Sequence, residues 1–414
     1  MALGLMGLER SHCSWFWVLL ILCAWHVVLG LPPCDFPAIY NFGDSNSDTG
    51  GISAAFLQVP PPNGETFFGR PSGRLSDGRL IIDFIAEHLG LPYLSAYLDS
   101  VGTNFHTGAN FATGGSTIRP QNETLFQSGV SPFSLNVQLW QFDQLKARTS
   151  ELYYEAKNAS DRSKLPNPRD ISRALYTFDI GQNDLGVGLR RSMSEDQLRA
   201  SIPDILDQLS LTLEKLYQRG ARTFWIHNIG PIGCLPLART FFAAKPGLLD
   251  LYGCIKPHND IAMEFNNQLK QRVIQLRSLL SHAALTYVDV YAAKYALISQ
   301  AQKQGTIARF KSTKYDLIPR ILASISYFLV LGFENPMRFC CGDYEGYHVG
   351  CGEKAYINGT EVFGGSCGNP SAYISWDGIH YSQAANHWIS NHILNGSLSD
   401  PPVPISESCY KHKP

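Results

Sequence analysis

Apolar segments of two kinds alternate along the chain, and this alternation predicts an α/β protein. Short, uninterrupted apolar runs predict buried strands, whereas longer runs with apolar residues on one face predict helices. Strands are predicted at 36–42, 109–112, 174–180, 223–229 and 285–290. Helices are predicted at 78–89, 135–147, 195–218, 259–280 and 382–394. Continuous apolar strands between helices are typical of a parallel sheet covered on both faces, so we expect one α/β domain.

Composition and charge exclude several classes of protein. The chain has 414 residues, of which 44% are hydrophobic, and this length is sufficient for a large core. A net charge of −1 is unlike a basic nucleic-acid-binding surface or an acidic disordered tail, so no nucleic-acid partner is expected. The sequence contains no G-x-G-x-x-G, no G-x-x-x-x-G-K-[ST] and no H-E-x-x-H motif. We therefore predict neither a cofactor nor a metal.

The first thirty residues have the pattern of a secretory signal peptide. Arg10 precedes an apolar run from Trp15 to Leu29, and Val28 and Gly30 fit a cleavage site after Gly30. An N-terminal membrane anchor is the alternative, but the run is short for a bilayer span. We expect a secreted, extracellular protein with a signal peptide at 1–30, a single domain at 31–414 and no stable membrane span. The oligomeric state stays open.

Cysteines and glycosylation sequons agree with secretion. The eight cysteines after the signal peptide are Cys34, Cys234, Cys254, Cys340, Cys341, Cys351, Cys367 and Cys409. Their spacing suggests local disulfides, one between Cys234 and Cys254 and others within the 340–367 cluster, although the full connectivity stays open. A zinc site is the alternative, but no C-x-x-C motif occurs. Glycosylation is predicted at the sequons of Asn122, Asn158, Asn358 and Asn395.

Three loops at predicted strand ends carry polar side chains, and such ends converge on the active site of a parallel sheet. Ser45 follows the first strand, Asn183 follows the 174–180 strand, and Asp377 lies three residues before His380. The carboxylate of Asp377 can orient the imidazole of His380, whose other nitrogen then faces outward as a base. Each of these features alone is also typical of an ordinary turn or helix cap.

A second serine motif is rejected. Gly364-Gly365-Ser366-Cys367-Gly368 matches the G-x-S-x-G elbow of α/β-hydrolases, which requires a strand before the serine and a helix after it. Here the motif is expected in a Gly/Cys-rich loop with neither element. Paired carboxylates of a glycosidase stay possible, because sequence spacing does not give their separation.

Four blocks occur in order along the chain, FGDSNSDTG, GANFATGGST, FDIGQND and DGIHYSQAANHWI, and they extend over nearly the whole mature chain. Together they resemble the plant GDSL esterase/lipases, a family of the SGNH hydrolases. The last two blocks are similar to the branch of early-nodulin-like and latex-allergen-like acetylesterases. The resemblance implies a flavodoxin-like, three-layer α/β/α fold with a five-stranded parallel sheet in the order 2-1-3-4-5.

The resemblance also implies the catalytic groups. Ser45 is similar to the family nucleophile, and Asp377 and His380 match its D-x-x-H, which would complete a Ser–His–Asp triad. The oxyanion hole would comprise the N–H of Ser45, an amide of Gly114 or Gly115 with Gly114 favoured, and the side chain of Asn183.

The function implied is hydrolysis of acetyl or short acyl esters through an acyl-enzyme, on a small-molecule or carbohydrate-borne substrate. A long-chain lipase, a non-catalytic secreted glycoprotein and a glycosidase are the alternatives.

One segment departs from the family. Residues 306–332 separate Gly305 from Phe333, whereas in the resembling family the two flanking segments are almost adjacent. The segment carries Arg309, Lys311, Lys314 and Arg320 against Asp316, and its second half is apolar with no polar face. A translated retained intron is the preferred hypothesis, and a lid over the acyl site is the alternative.

Overall fold

A computed structural model describes residues 32–56, 58–121, 130–242, 246–312 and 332–410. The predicted signal peptide, the Asn122 sequon and positions 313–331 of the anomalous segment lie outside these ranges. The fold below is that of the compact unit that begins at Asp35. Among the described helices, none combines the length and apolar character needed to cross a membrane.

The central sheet confirms the expected order 2-1-3-4-5. Its five parallel strands are β1 Ile39–Gly43, β2 Gly108–Asn110, β3 Leu175–Asp179, β4 Thr223–His227 and β5 Ala284–Val288. A short strand near the C-terminus, Ser399–Asp400, adds an antiparallel edge beside β5. The chain also forms two hairpins outside this sheet, described below with their loops. The ends of all five parallel strands lie within three residues of the predicted ends.

Ten α-helices occur in the described residues. They are α1 Gly51–Ala55, α2 Ile81–His88, α3 Leu135–Glu155, α4 Ala159–Arg162, α5 Gln182–Arg190, α6 Glu195–Gln218, α7 Pro236–Phe241, α8 Lys256–Leu279, α9 Val290–Ser312 and α10 Gln383–Ile393. The long helix α6 has the predicted bounds because Ser194 forms a capping box with Gln197, and Gly220 follows the C-cap with a φ of 107°.

The sheet is buried on both faces, which explains why its strands are continuously apolar. Tyr40, Phe42 and Phe178 alternate with Ile39 and Leu175 along β1 and β3, and all five are at most 2% exposed. The aromatic residues join the main core with apolar residues of α3, α6 and α8. On the other side, α2, α9 and α10 pack against one another. The fold is therefore a three-layer α/β/α sandwich, as the resemblance implies.

Three disulfides are local, as the spacing of their cysteines suggests. Cys234 is bonded to Cys254, Cys340 to Cys367, and Cys341 to Cys351. The last two fix a segment that contains two hairpins, β6 Asp343–Tyr344 with β7 Tyr347–His348 and β8 Lys354–Ile357 with β9 Thr360–Phe363. The edge strand Ser399–Asp400 is β10.

Candidate active site

The loop after β1 is held so that it can turn sharply into the site. The backbone N–H and C=O of Gly43 both pair with the side chain of Gln138 on α3, at 3.0 and 2.8 Å. A Cβ at Gly43 would lie 2.1 Å from Ser47 Oγ and 2.9 Å from the Asp179 carbonyl, so only glycine fits. The next amide, of Asp44, donates to the carbonyl of Asp179 at the end of β3. Ser45 follows directly.

Ser45 lies at the carboxyl edge of the sheet and opens into a cavity. Its side chain is 9% exposed, and it lines a cavity of about 780 Å³ together with His380 and Asn183. Neither its Oγ nor its backbone N–H forms a hydrogen bond with a described residue. The hydroxyl and the amide are therefore both available to a substrate, as a nucleophile and an oxyanion donor require.

Asp377 and His380 form a pair across a tight turn. The Nδ1 of His380 lies 2.6 Å from the Oδ2 of Asp377, and Asp377 Oδ1 accepts the backbone N–H groups of Ile379 and His380. The turn needs Gly378, which has a φ of 92° and whose Cβ would meet the side chain of Leu237 at 2.5 Å. The pairing at Nδ1 leaves Nε2 as the nitrogen that can take a proton.

The electrostatics of this pair suit a base that becomes charged. Burial disfavours the imidazolium, but the charge and hydrogen bond of Asp377 outweigh it and raise the pKa of His380 above its usual value. Burial would raise the pKa of Asp377, yet the nearby imidazole and three hydrogen bonds lower it instead. Asp377 therefore remains ionised and stabilises His380 when it carries a proton.

The preference for Gly114 as an oxyanion donor is not supported by its hydrogen bonding. The N–H of Gly114 donates to Asp48 Oδ2 at 2.7 Å, so it is already used within the protein. The neighbouring N–H of Gly115 pairs with no described residue, and Gly115 also lines the cavity. One N–H of the Asn183 side chain donates to the Ser116 carbonyl at 2.9 Å, which orients the amide and leaves its second N–H.

Most of the cavity wall is apolar. The aliphatic and aromatic residues around it come from the start of α1, the loop before α2, the end of α5 and the region of α7. They are Ile52, Leu75, Leu189, Ile232, Leu235, Leu237, Phe241 and Phe242. Since one water molecule takes up about 30 Å³ of liquid, the cavity has room for far more than an acetyl group. Its volume and mostly apolar lining are typical of a site that binds a small molecule.

The rejected serine motif lies elsewhere, although one reason for rejecting it was wrong. The strand β9, Thr360–Phe363, does precede Gly364, where the sequence analysis expected no strand. It belongs to a two-stranded hairpin, and a short 3-10 turn at Pro370–Ala372 follows instead of a helix. Cys367 next to Ser366 is disulfide-bonded. The strand–elbow–helix geometry is absent around Ser366.

Several residues that shape the site could not be given a role from the sequence, although Asp48 belongs to the FGDSNSDTG block. Asp48 and Gln138 hold the loop through hydrogen bonds to backbone groups, and Lys294 reaches the region from α9. Asn183 was assigned to a turn, whereas it lies in the first turn of α5. The alternation of apolar residues in α5 is interrupted by two glycines, which explains why the helix was missed.

Three of the four sequons are described, and all three are exposed. Asn158 caps α4, Asn358 lies in the turn between β8 and β9 with a φ of 52°, and Asn395 follows α10.

A serine, a histidine–aspartate pair and an amide side chain lie at the carboxyl edge of a parallel α/β sheet, as expected of an ester hydrolase. Comparison with known proteins agrees with that expectation. The profile of the GDSL-like lipase/acylhydrolase family matches residues 39–393. The chain belongs to this family.

The relatives extend over almost the whole chain. A GDSL esterase/lipase of Arabidopsis thaliana is 55% identical over 97% of both chains. The protein named Alpha-L-fucosidase 3, also from Arabidopsis thaliana, is 47% identical over 88% of this chain and 91% of its own. The GDSL esterase/lipase ENOD8 of Medicago truncatula is 42% identical over 95% of each chain. The protein is accordingly a carboxylic ester hydrolase that acts on small-molecule esters.

Proposed function

We propose that this protein hydrolyses esters through a Ser45–His380–Asp377 triad and an acyl-enzyme. The observation that carries the proposal is the 2.6 Å contact between His380 Nδ1 and Asp377 Oδ2, beside a cavity that Ser45 and His380 both line. The absence of a hydrogen bond between Ser45 Oγ and His380 is compatible with this role. Catalytic hydrogen bonds are often long in unliganded sites and shorten when substrate binds.

The reaction has two halves. Ser45 Oγ attacks the carbonyl carbon while His380 Nε2 takes the hydroxyl proton, and the C–O bond to the alcohol then breaks as His380 returns that proton to the leaving oxygen. A water molecule repeats the attack on the acyl-enzyme, again giving a proton to His380, and the acid leaves as Ser45 recovers its proton. Asp377 stabilises the charged imidazole in both halves.

Three donors surround the position of the developing oxyanion. They are the backbone N–H groups of Ser45 and Gly115 and the free N–H of the Asn183 side chain. Gly115 replaces Gly114 in this proposal because the Gly114 amide is bonded to Asp48. Such donors act most strongly on charge that develops in the transition state. Removal of a donor should therefore lower kcat more than it raises KM.

The sequence indicates a preference for acetyl or short acyl chains, whereas the cavity favours longer acyl chains as a second candidate. A volume of about 780 Å³ with an apolar lining fits an acyl chain of several methylene groups better than an acetyl group. Each methylene buried in such a wall adds about 0.8 kcal/mol of binding. We therefore propose that activity extends to medium and long acyl chains.

The test is hydrolysis of p-nitrophenyl esters from C2 to C16, with wild type, Ser45→Ala and Ser366→Ala. Wild type and Ser366→Ala should be active and labelled covalently by a serine-directed phosphonate, whereas Ser45→Ala should be folded, unlabelled and several orders of magnitude slower. Labelling that persists in Ser45→Ala would refute the triad. A maximum at C2 would restrict the substrate to acetyl esters.

The same assay with p-nitrophenyl α-L-fucoside separates ester hydrolysis from glycosidic cleavage. This substrate is included because one relative bears a fucosidase name. Our proposal expects no fucoside hydrolysis that depends on Ser45.

We also propose that the protein is secreted to the apoplast or cell wall and glycosylated. Three local disulfides support this, because such bonds persist in oxidising compartments. The exposure of Asn158, Asn358 and Asn395 supports glycosylation there. Recovery of the protein from apoplastic fluid, with a mass that falls on treatment with an N-glycosidase, would test both proposals.

A further inference from the structure

Four ionisable side chains lie buried behind Ser45, and the triad uses none of them. Asp44, Asp179 and His227 come from the carboxyl ends of β1, β3 and β4, and Lys294 comes from the second turn of α9. Their exposed fractions are 0%, 8%, 4% and 2%. Lysine and aspartate are almost never fully buried without a partner, so this group requires an explanation.

Lys294 occupies a space that the neighbouring residues leave for it. A Cβ on Gly230 would lie 3.0 Å from Lys294 Cδ and 3.5 Å from its Nζ, so the glycine allows the side chain to pass. The ammonium lies 4.6 Å from the ring centre of Tyr381, the residue directly after His380. The lysine thus places a positive charge beneath the loop that carries the base.

The carboxylates of the group are poorly satisfied by hydrogen bonds. Asp44 Oδ1 accepts two bonds from Asn46, one from its backbone and one from its side chain, each of 3.0 Å. Asp44 Oδ2, Asp179 Oδ2 and both ring nitrogens of His227 have no hydrogen-bond partner. His227 Nδ1 is 3.5 Å from Asp179 Oδ2, close enough for charge attraction. Two buried carboxylates of this kind cannot both ionise without a cation nearby.

Lys294 supplies that cation: burial lowers the pKa of its ammonium group, and the charges of Asp179 and Asp44 oppose that fall. Burial and the charge of Asp179 raise the pKa of Asp44 to about 7, while the bonds from Asn46 and the charge of Lys294 oppose the rise. For Asp179, burial is outweighed by His227 and Lys294, and its pKa falls. Asp44 therefore changes charge close to neutral pH, and it is adjacent to Ser45.

We propose that Lys294 is a positioning residue for ester hydrolysis, whose buried charge keeps Asp44 ionised so that Asp44 can hold the turn that presents Ser45. This inference rests on the proposed function. The ionised carboxylate is the acceptor of both bonds from Asn46, and those bonds fix the chain on the far side of Ser45. The active form contains ionised Asp44 and neutral His380.

The direction of the pH effect follows from the surrounding charges. Lys294 faces Asp44, Asp179 and Tyr381, and His380 faces Asp377, Asp44 and Lys294. One step further out, His227 faces Asp179 and Tyr291 faces Tyr381. Reaching the active form requires loss of a proton from Asp44 and from His380. Removing a fixed positive charge makes the loss of each proton less favourable. The acidic limb, which is the part of the pH profile where activity falls with falling pH, therefore moves to higher pH.

The test compares Lys294→Met, Lys294→Arg and the control Lys157→Met, an exposed lysine after α3. For Lys294→Met we expect kcat to fall about tenfold or more with little change in KM, and the acidic limb to rise by about one pH unit. In Lys294→Arg the acidic limb should lie close to its wild-type pH, because arginine keeps the positive charge. Lys157→Met should match wild type.

Two results would overturn the inference. The first is a folded Lys294→Met variant whose kcat and acidic limb are those of wild type. The second is a folded Lys294→Met variant that loses activity while its acidic limb stays at the wild-type pH, which would indicate that Lys294 acts only through packing. If Lys294→Met does not fold, Asp44→Asn decides. The kcat of Asp44→Asn should fall, and its acidic limb should fit the uptake of one proton instead of two. A wild-type kcat in Asp44→Asn would refute the role of Asp44 in positioning Ser45.

The outcome is separable from that of the proposed function. If Ser45→Ala abolishes hydrolysis and phosphonate labelling while Lys294→Met behaves as wild type, only the role of Lys294 fails. If Ser45→Ala remains active, the triad fails first.

Discussion

Asp48 and Gly114 are joined by a hydrogen bond of 2.7 Å from the glycine N–H to a buried carboxylate oxygen. The same carboxylate accepts the N–H groups of Gly50, Gly51 and Ile52 at the start of α1. One side chain therefore ties the loop after β1, which carries Ser45, to the glycine loop after β2. This link fixes the separation between the nucleophile and one wall of the oxyanion site.

Replacing Asp48 with asparagine should destabilise the protein and slow it. The amide group of asparagine cannot accept four N–H bonds, and bonds to a charged acceptor contribute about 1.5–3 kcal/mol each. We expect the free energy of unfolding, measured in urea, to fall by about 2–3 kcal/mol and kcat to fall with it. The control is Asp196→Asn on the exposed first turn of α6. Equal stability of the two variants would contradict the linking role.

Asn183 should affect catalysis without affecting the fold. Its side chain bonds the Ser116 carbonyl and lines the cavity, so Asn183→Ala removes one oxyanion donor. Loss of one such donor lowers kcat by about 10²–10³. We expect that loss in p-nitrophenyl ester hydrolysis, with KM nearly constant. Asn391→Ala, on the exposed side of α10, is the matched control. A comparable loss of thermal stability would instead assign Asn183 a structural role.

The pH dependence follows from the sign of the shift at His380. Protonated His380 cannot accept the Ser45 proton, and the nearby Asp377 raises its pKa above the ordinary 6.5. Activity should therefore be lost as pH falls, starting above pH 6.5, and reach a plateau at mildly alkaline pH. The measurement is kcat/KM from pH 4.5 to 9. A maximum at pH 4 to 5 would indicate carboxylate-based chemistry instead.

The fold was predictable because its strands are continuously apolar. The 174–180 run, for example, became β3 at Leu175–Asp179 since both sheet faces are covered. The proposed triad was inferred from motif resemblance, because Ser45 and His380 are more than three hundred residues apart in sequence. The sequence could not distinguish Gly114 from Gly115, since the distinction depends on a hydrogen bond from the Gly114 N–H to Asp48 in another loop. Lys294 could not be identified either, because the sequence does not distinguish a buried lysine from a lysine on the surface of a helix.

Narrowing the apolar cavity should change chain-length preference. Leu189 near the end of α5 lines the cavity, so Leu189→Trp should fill part of it. We expect hydrolysis of C8 to C16 esters to fall at least about tenfold relative to C2, since each excluded methylene forfeits about 0.8 kcal/mol. Leu152→Trp, on the exposed face of α3, serves as the control. A uniform effect on all chain lengths would show that the acyl chain binds elsewhere.

The anomalous segment 306–332 should be dispensable. Its first residues continue α9, which ends at Ser312, and positions 313–331 lie outside the described residues. The triad and the described cavity lining come from other parts of the chain. Joining Gly305 to Phe333 restores the arrangement of the resembling family and removes an apolar, β-prone run that favours aggregation. We therefore expect deletion of Thr306 to Gly332 to leave kcat/KM within about twofold and to increase soluble yield.

Transcript sequencing and kinetics together separate the two origins of this segment. A retained intron requires a spliced transcript that lacks these codons, and removal of the segment should change the net charge of the protein from −1 to −4. A lid requires the opposite result, because it would cover the acyl chain near Ser45. If the shortened protein folds with an unchanged melting temperature but hydrolyses long-chain esters poorly and C2 esters normally, the lid is established and the intron hypothesis is refuted.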